Sequence, residues 1–313
     1  MCDCAPFRSR IVFVMQQLLI EHEIVRKRSQ REKSAQISPL VWLNLVCLDA
    51  PLVAVSWQWL FARAFQVPLT NSARLTLFLT AWLIYLVDRL ADGWSLHPME
   101  PLSLRQRFCR RHQRIWIVAM PLLVLADSVL ISQQLDRGTI HVGLVVGALS
   151  LVYLAINYWL GKMWRFVPVK EVCIGCLFAS GTVAAVVPHI GLSAMFLVAF
   201  AFFAALCSLN CITIAIWERD LDLMQGKNSI VTRWPNVGSW FPTATITLAT
   251  CAILIGSIAK TATSLYYCIA LSAFVLSAVD SLGKWFGRDE RTAMADLVLL
   301  TPLLLLVLKT LAR

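Results

Sequence analysis

From Val172 to Trp217 the chain runs for 46 residues without a Lys, Arg, Asp or Glu. One crossing of the hydrocarbon takes about 20 apolar residues, so this run holds two. Pro188, His189 and Gly191 mark the turn between them. A membrane hairpin is therefore expected, and the rest of the chain agrees with it. Of 313 residues, 58% are hydrophobic and 15% charged, with a mean hydropathy of +0.70. Soluble domains carry about 25% charged residues, so a soluble enzyme, a secreted disulfide scaffold and a disordered chain are excluded. The formal charge of +10 is read through its location, because Lys and Arg gather on the cytoplasmic side of membrane proteins. Nucleic acid is not an expected partner.

Working outward from the hairpin, helices are expected near 39–62, 70–92, 113–132, 139–160, 168–187, 192–217, 239–259, 264–283 and 293–309. The expectation is an all-α integral membrane protein with nine transmembrane helices over 39–313. A β-barrel is excluded, since its strands alternate apolar and polar in segments of about ten. With the N-terminus cytoplasmic, 22 of the 28 Lys and Arg fall on that side and 6 on the other. The expected location is a bacterial inner membrane. Residues 1–38 form a separate cytoplasmic segment, whose apolar Ile11–Ile20 and basic Arg26, Lys27, Arg28, Arg31 and Lys33 suit an amphipathic helix on membrane lipid. A cleaved signal peptide fits poorly, because the charge follows the apolar part; Met15 is an alternative start. Most of the ten cysteines lie in apolar runs and read as reduced core residues. Cys173-x-x-Cys176 has zinc spacing, but it sits in an uncharged helix with no second pair nearby.

Only 18 carboxylates are present, and their clustering is informative. The second helix ends with Asp88-Arg-Leu-Ala-Asp92 and the sixth with Glu218-Arg-Asp-Leu-Asp222. Each pair stands four residues apart, on one helix face about a turn from each other. Such a pair repels itself unless a cation intervenes. Oxygen ligands at this density suit Mg²⁺, which takes one or two carboxylates plus substrate phosphates. Both pairs fall on the expected cytoplasmic side, and the offset between them is 130 residues for each acid. That equality reads as a duplicated four-helix unit plus a ninth helix. Arg105, Arg107, Arg110 and Arg111 lie in the loop after the first acidic pair, Lys162, Arg165 and Lys170 precede the fifth helix, and Lys227 follows the second pair. Arg105, Arg107, Lys162, Arg165, Lys170 and Lys227 are the candidate ligands of a diphosphate. Lys170 is singled out because a cation at a helix start opposes the macrodipole.

The segments Asp88–Asp92 and Glu218-Arg-Asp-Leu-Asp222-Leu-Met-Gln-Gly226-Lys-Asn-Ser229 resemble the two aspartate-rich motifs of the UbiA superfamily of intramembrane prenyltransferases. The resemblance implies a UbiA-like helical bundle in which a prenyl diphosphate binds through two Mg²⁺ ions. Asp88 and Asp92 would hold one ion, Glu218 and Asp222 the other, while the isoprenoid lies in an apolar chamber open to lipid. Three positions depart from the family pattern. Ile84-Tyr85 replaces its Asn-Asp, Glu218 replaces an Asp, and the Arg-Pro of the first helix is absent.

Asp49 is the only charged residue between Ser34 and Ala62, and an acid at the bilayer centre costs about 2.5–3.5 kcal/mol on insertion scales. It is the candidate catalytic residue, placed to orient or deprotonate a lipophilic or aromatic acceptor. The alternative is a protonated Asp bonded to a carbonyl freed by Pro51. Asn157 and Asn210 are expected to bridge helices, and Asp127, Asp280 and Asp296 to lie near span ends within reach of water. Three functions follow in order: prenyl transfer to an acceptor, cyclisation of the prenyl cation on itself, and a transporter or ion pathway through Asp49 and Asp127. Carboxylates at the rim argue against the third, since transporters bind near the midplane.

Overall fold

The computed structural model describes residues 38–95, 100–159, 164, 169–259 and 261–311, and these contain helices, turns and loops but no strand. The expected amphipathic segment at 11–20, its basic stretch, Lys162 and Arg165 lie outside the described residues. In chain order the helices are α1 (Pro39–Leu45), α2 (Asp49–Ala64), α3 (Asn71–Ser95), α4 (Leu104–Arg111) and α5 (Gln113–Gln134). There follow α6 (Arg137–Trp159), α7 (Lys170–Val183), α8 (Val187–Ile190), α9 (Ala194–Met224), α10 (Ile230–Arg233), α11 (Val237–Ile258), α12 (Thr263–Ser281), α13 (Arg288–Val298) and α14 (Thr301–Leu311). Five of them, α5, α6, α9, α11 and α12, are long and apolar enough to cross a membrane.

The expected first helix over 39–62 is two helices. Leu48 N–H donates to Leu43 O at 2.9 Å and Cys47 N–H to Asn44 O at 3.2 Å, the bond pair of a Schellman motif. Cys47 takes the left-handed φ of 58° that such a motif usually gives to glycine, and so conceals the break in the sequence. Pro51 then sits in the first turn of α2, where its missing N–H removes no helical bond. The expected ninth helix over 293–309 is likewise divided, at Leu299 and Leu300. Carbonyls freed there are satisfied by side chains: Trp57 Nε1 donates to Leu299 O at 2.7 Å and Ser272 Oγ to Val298 O at 3.1 Å. In an apolar interior an interrupted helix persists only with such partners. At the expected 168–187, α7 stops at Val183, and a turn leads into α8 with Pro188 near its start.

Trp57, Phe61, Phe196, Phe203, Tyr266 and Ile269 are fully buried in one core cluster, with Trp57 stacked on Phe203 at 4.5 Å between ring centroids. Helix α7 lies against α9 at backbone distance. A Cβ on Gly175 would come within 2.5 Å of Ser208 N, so only glycine permits this contact. Helices α5 and α6 carry the outer surface, where Val118, Leu122, Leu125, Leu149, Leu151 and Val152 are exposed. An apolar surface of this extent suits lipid and not water. The chain is a multi-pass helical membrane protein.

Candidate functional site

A cavity of about 420 Å³ lies between α2, α3, α6, α7 and α9. The chain direction of these helices sorts its lining. Asp88 and Asp92 end α3, Lys170 and Glu171 start α7, and Glu218 and Asp222 end α9, so charge collects at one end. Leu77 and Ile84 of α3, Leu144 of α6, and Ile174, Leu177 and Phe178 of α7 line the remainder. The result is an apolar chamber with a charged mouth.

Two ion pairs tie the mouth together. Arg105 Nη2 pairs with Glu218 Oε2, and Lys227 Nζ lies 2.8 Å from Asp92 Oδ2. The second follows from how α9 ends. Helix α9 continues through its acids to Met224, seven residues past the expected 217, because charge at the rim does not stop a helix whereas glycine does. Gly226 takes φ 61°, and Lys227 N–H donates to Asp222 O at 2.8 Å while Gly226 N–H donates to Leu223 O at 3.2 Å. This reversal folds Lys227 back across the cavity to α3. From α6, the Tyr158 hydroxyl lies 3.0 Å from Asp88 Oδ1 and 3.4 Å from Asp92 Oδ1. Thr292 of α13 reaches Glu218 Oε1 at 3.4 Å.

Each acidic pair thus shares a helix face, and all four carboxylates line one cavity with Arg89, Arg105, Lys170 and Lys227. Among the described residues no three His, Cys, Asp or Glu side chains form a group able to hold a metal. Two carboxylates per ion, with phosphate oxygens and water completing the shell, are what Mg²⁺ ordinarily takes, and this all-oxygen donor set fits that pattern. Cys173 and Cys176 stand on α7 as free thiols.

Compared with known proteins, the chain matches no family model, no curated protein and no solved structure. The resemblance to the UbiA superfamily rests on the acidic motifs and their spacing.

Of the residues expected at the site, Asp88, Asp92, Arg105, Lys170, Glu218, Asp222 and Lys227 line the cavity. Arg107 is exposed and lies outside the lining. Asp49 also lies outside it. At 2% exposure it starts α2 just past the helix break, instead of sitting midway along a continuous helix. Asn44 Nδ2 donates to Asp49 Oδ2 at 2.6 Å and approaches Asp296 Oδ2 at 3.3 Å, while Asn210 Nδ2 donates to Asp296 Oδ1 at 3.0 Å. Asn210 bridges α9 to α13. Asp296, expected to meet water, is buried in this cluster. Asp127, expected the same way, is buried and accepts from Thr80 Oγ1 at 2.6 Å. Tyr158, Glu171 and Thr292 were not singled out in the sequence, and the only signal for Glu171 was a carboxylate beside Lys170 at the start of an apolar helix.

Proposed function

We propose that the chain is a Mg²⁺-dependent intramembrane prenyltransferase that ionises an allylic prenyl diphosphate and transfers the prenyl group to a lipophilic or aromatic acceptor. The observation that carries this reading is the meeting of two acidic helix ends with four cations at the mouth of an otherwise apolar cavity. Its volume lies in the range of small-molecule sites, about 300–1,000 Å³. In this reading the chain crosses the membrane nine times in a UbiA-like bundle, with α1 and α2, α7 and α8, and α13 and α14 each serving as one interrupted crossing. The mouth and the N-terminus face the cytoplasm.

Asp88 with Asp92 and Glu218 with Asp222 hold one Mg²⁺ each. When bound, the metal supplies Lewis acidity toward the leaving diphosphate. Arg105, Lys170 and Lys227 take up phosphate charge, Tyr158 fixes the orientation of Asp88, and the wall of Leu77, Ile84, Leu144 and Phe178 keeps water from the allylic cation. A second reading, cyclisation without an acceptor, is favoured by one observation: Asp49, the expected acceptor residue, is outside the cavity lining. Incubating purified protein with geranyl, farnesyl and geranylgeranyl diphosphates and Mg²⁺, with and without lipophilic phenols and alcohols, decides between them. Mass spectrometry is expected to detect a prenylated acceptor; a cyclic hydrocarbon formed from the diphosphate alone establishes the cyclase.

A further inference from the structure

Glu171 is 4% exposed. Its Oε1 accepts the Ile230 N–H at 3.2 Å, which ties the start of α7 to the segment that follows α9. Its Oε2 has no hydrogen-bond partner, and the residue lines the cavity with Tyr153, Asn157, Asp222 and Ser229. A buried carboxylate oxygen left without a partner costs about 1–3 kcal/mol or more. Glutamine would serve Ile230 equally well through its amide oxygen, so anchoring that segment does not call for an acid. The second oxygen, buried and unpartnered on a residue that lines the cavity, does.

The geometry points to Glu171 as the residue that docks and deprotonates the acceptor, and to an alcohol or phenol as the acceptor's chemical class. This inference rests on the prenyl-transfer reading. The acceptor O–H donates to Glu171 Oε2, with its apolar body among Ile174, Leu177 and Phe178. A bond forms between the acceptor oxygen and the allylic carbon as the bond from that carbon to the diphosphate oxygen breaks. The electron pair of the broken bond leaves with diphosphate, toward Lys170 and Lys227, and the acceptor's proton passes to Oε2. The products are a prenyl ether, diphosphate and a protonated Glu171, which then returns its proton to water. This assignment takes the role that Asp49, held by Asn44 and Ala50 N–H, is not placed to perform.

The test uses the full-length protein in lipid nanodiscs with farnesyl and geranylgeranyl diphosphates, Mg²⁺, and a long-chain alcohol or alkylphenol. Glu171→Gln keeps an acceptor for Ile230 N–H and is expected to bind the diphosphate within about twofold of wild type. Its kcat for transfer is expected to fall about 100-fold or more, the scale of a lost general base. Glu171→Asp, which keeps the carboxylate, is expected to recover part of that rate; should Glu171→Gln fail to fold, Glu171→Ala decides the matter, and transfer within about threefold of wild type in Glu171→Ala then overturns the inference. Transfer within about threefold of wild type in Glu171→Gln overturns it, as does loss of diphosphate binding together with transfer. Failure of the wild-type protein to consume any prenyl diphosphate overturns the underlying reading instead, so the two failures are distinguishable.

Discussion

The carboxylates at the charged mouth and those buried away from it have different kinds of neighbour, and the neighbours separate the roles. Asp92 is held by Lys227, Glu218 by Arg105 and Asp88 by Tyr158, whereas Asp49 and Asp296 are enclosed by asparagine amides away from the cavity. Asp88→Asn and Asp222→Asn are each expected to lower turnover at least about 100-fold, the scale of losing charge stabilisation in a transition state. Their thermal unfolding in detergent should match wild type within a few degrees. Asp296→Leu is expected to do the opposite. It leaves the Asn210 amide without its acceptor, while Asn44 keeps Asp49, at about 1–3 kcal/mol for the unsatisfied group, so it should lower the unfolding temperature while diphosphate binding by the surviving protein persists. The acidic pairs were legible in the sequence because a four-residue spacing at a helix end is a local pattern. The cluster around Asp49 was not, because Asp296, which shares the Asn44 amide with it, comes from α13, 252 residues from Asn44.

At the scale of elements, two glycines position the site. Gly175 lets α7 lie against the backbone of Ser208 on α9, which sets Lys170 and Glu171 opposite Asp222. Gly175→Leu forces the helices apart, and overpacking of this kind costs about 1–3 kcal/mol; loss of both diphosphate binding and several degrees of stability is the expected outcome. Gly226 carries the turn that returns Lys227 to Asp92. Gly226→Ala puts a Cβ into the left-handed region at about 1–2 kcal/mol and should weaken diphosphate binding through Lys227 more than it lowers stability, a pattern read by titration calorimetry beside thermal unfolding. Helix positions follow the apolar runs, because run length is the signal for a crossing. The breaks inside α1–α2 and α13–α14 were not legible. Cys47 stands where glycine would have announced a cap, and the carbonyls freed at Leu299 and Val298 are rescued by Trp57 and Ser272 from other helices.

Across the whole molecule, apolar helices enclose a chamber whose one charged end gathers acids and cations from α3, α4, α7 and α9. The sidedness proposed from the 22 to 6 distribution of Lys and Arg is testable with an introduced cysteine. Cys109 itself is a poor reporter: it is 4% exposed, and burial pushes its thiol up from its ordinary range, which leaves little reactive thiolate. Arg111 is exposed at the end of α4. Arg111→Cys should react with a membrane-impermeant maleimide in inverted vesicles and stay unlabelled in intact cells; labelling in intact cells reverses the orientation. Composition and charge asymmetry make the membrane class legible from the chain alone. The closing of the cavity mouth by Lys227 and Arg105 is not, since ion pairs spanning 135 and 113 residues leave no local trace. The joint site is tested most directly by calorimetric titration of farnesyl diphosphate into the purified protein, with Mg²⁺ and with EDTA, in wild type and in Asp92→Asn and Glu218→Gln. Saturable binding that requires Mg²⁺ and is lost when either helix end is neutralised is the predicted result. Binding of equal strength in EDTA, or binding indifferent to both substitutions, would contradict a shared metal and diphosphate site.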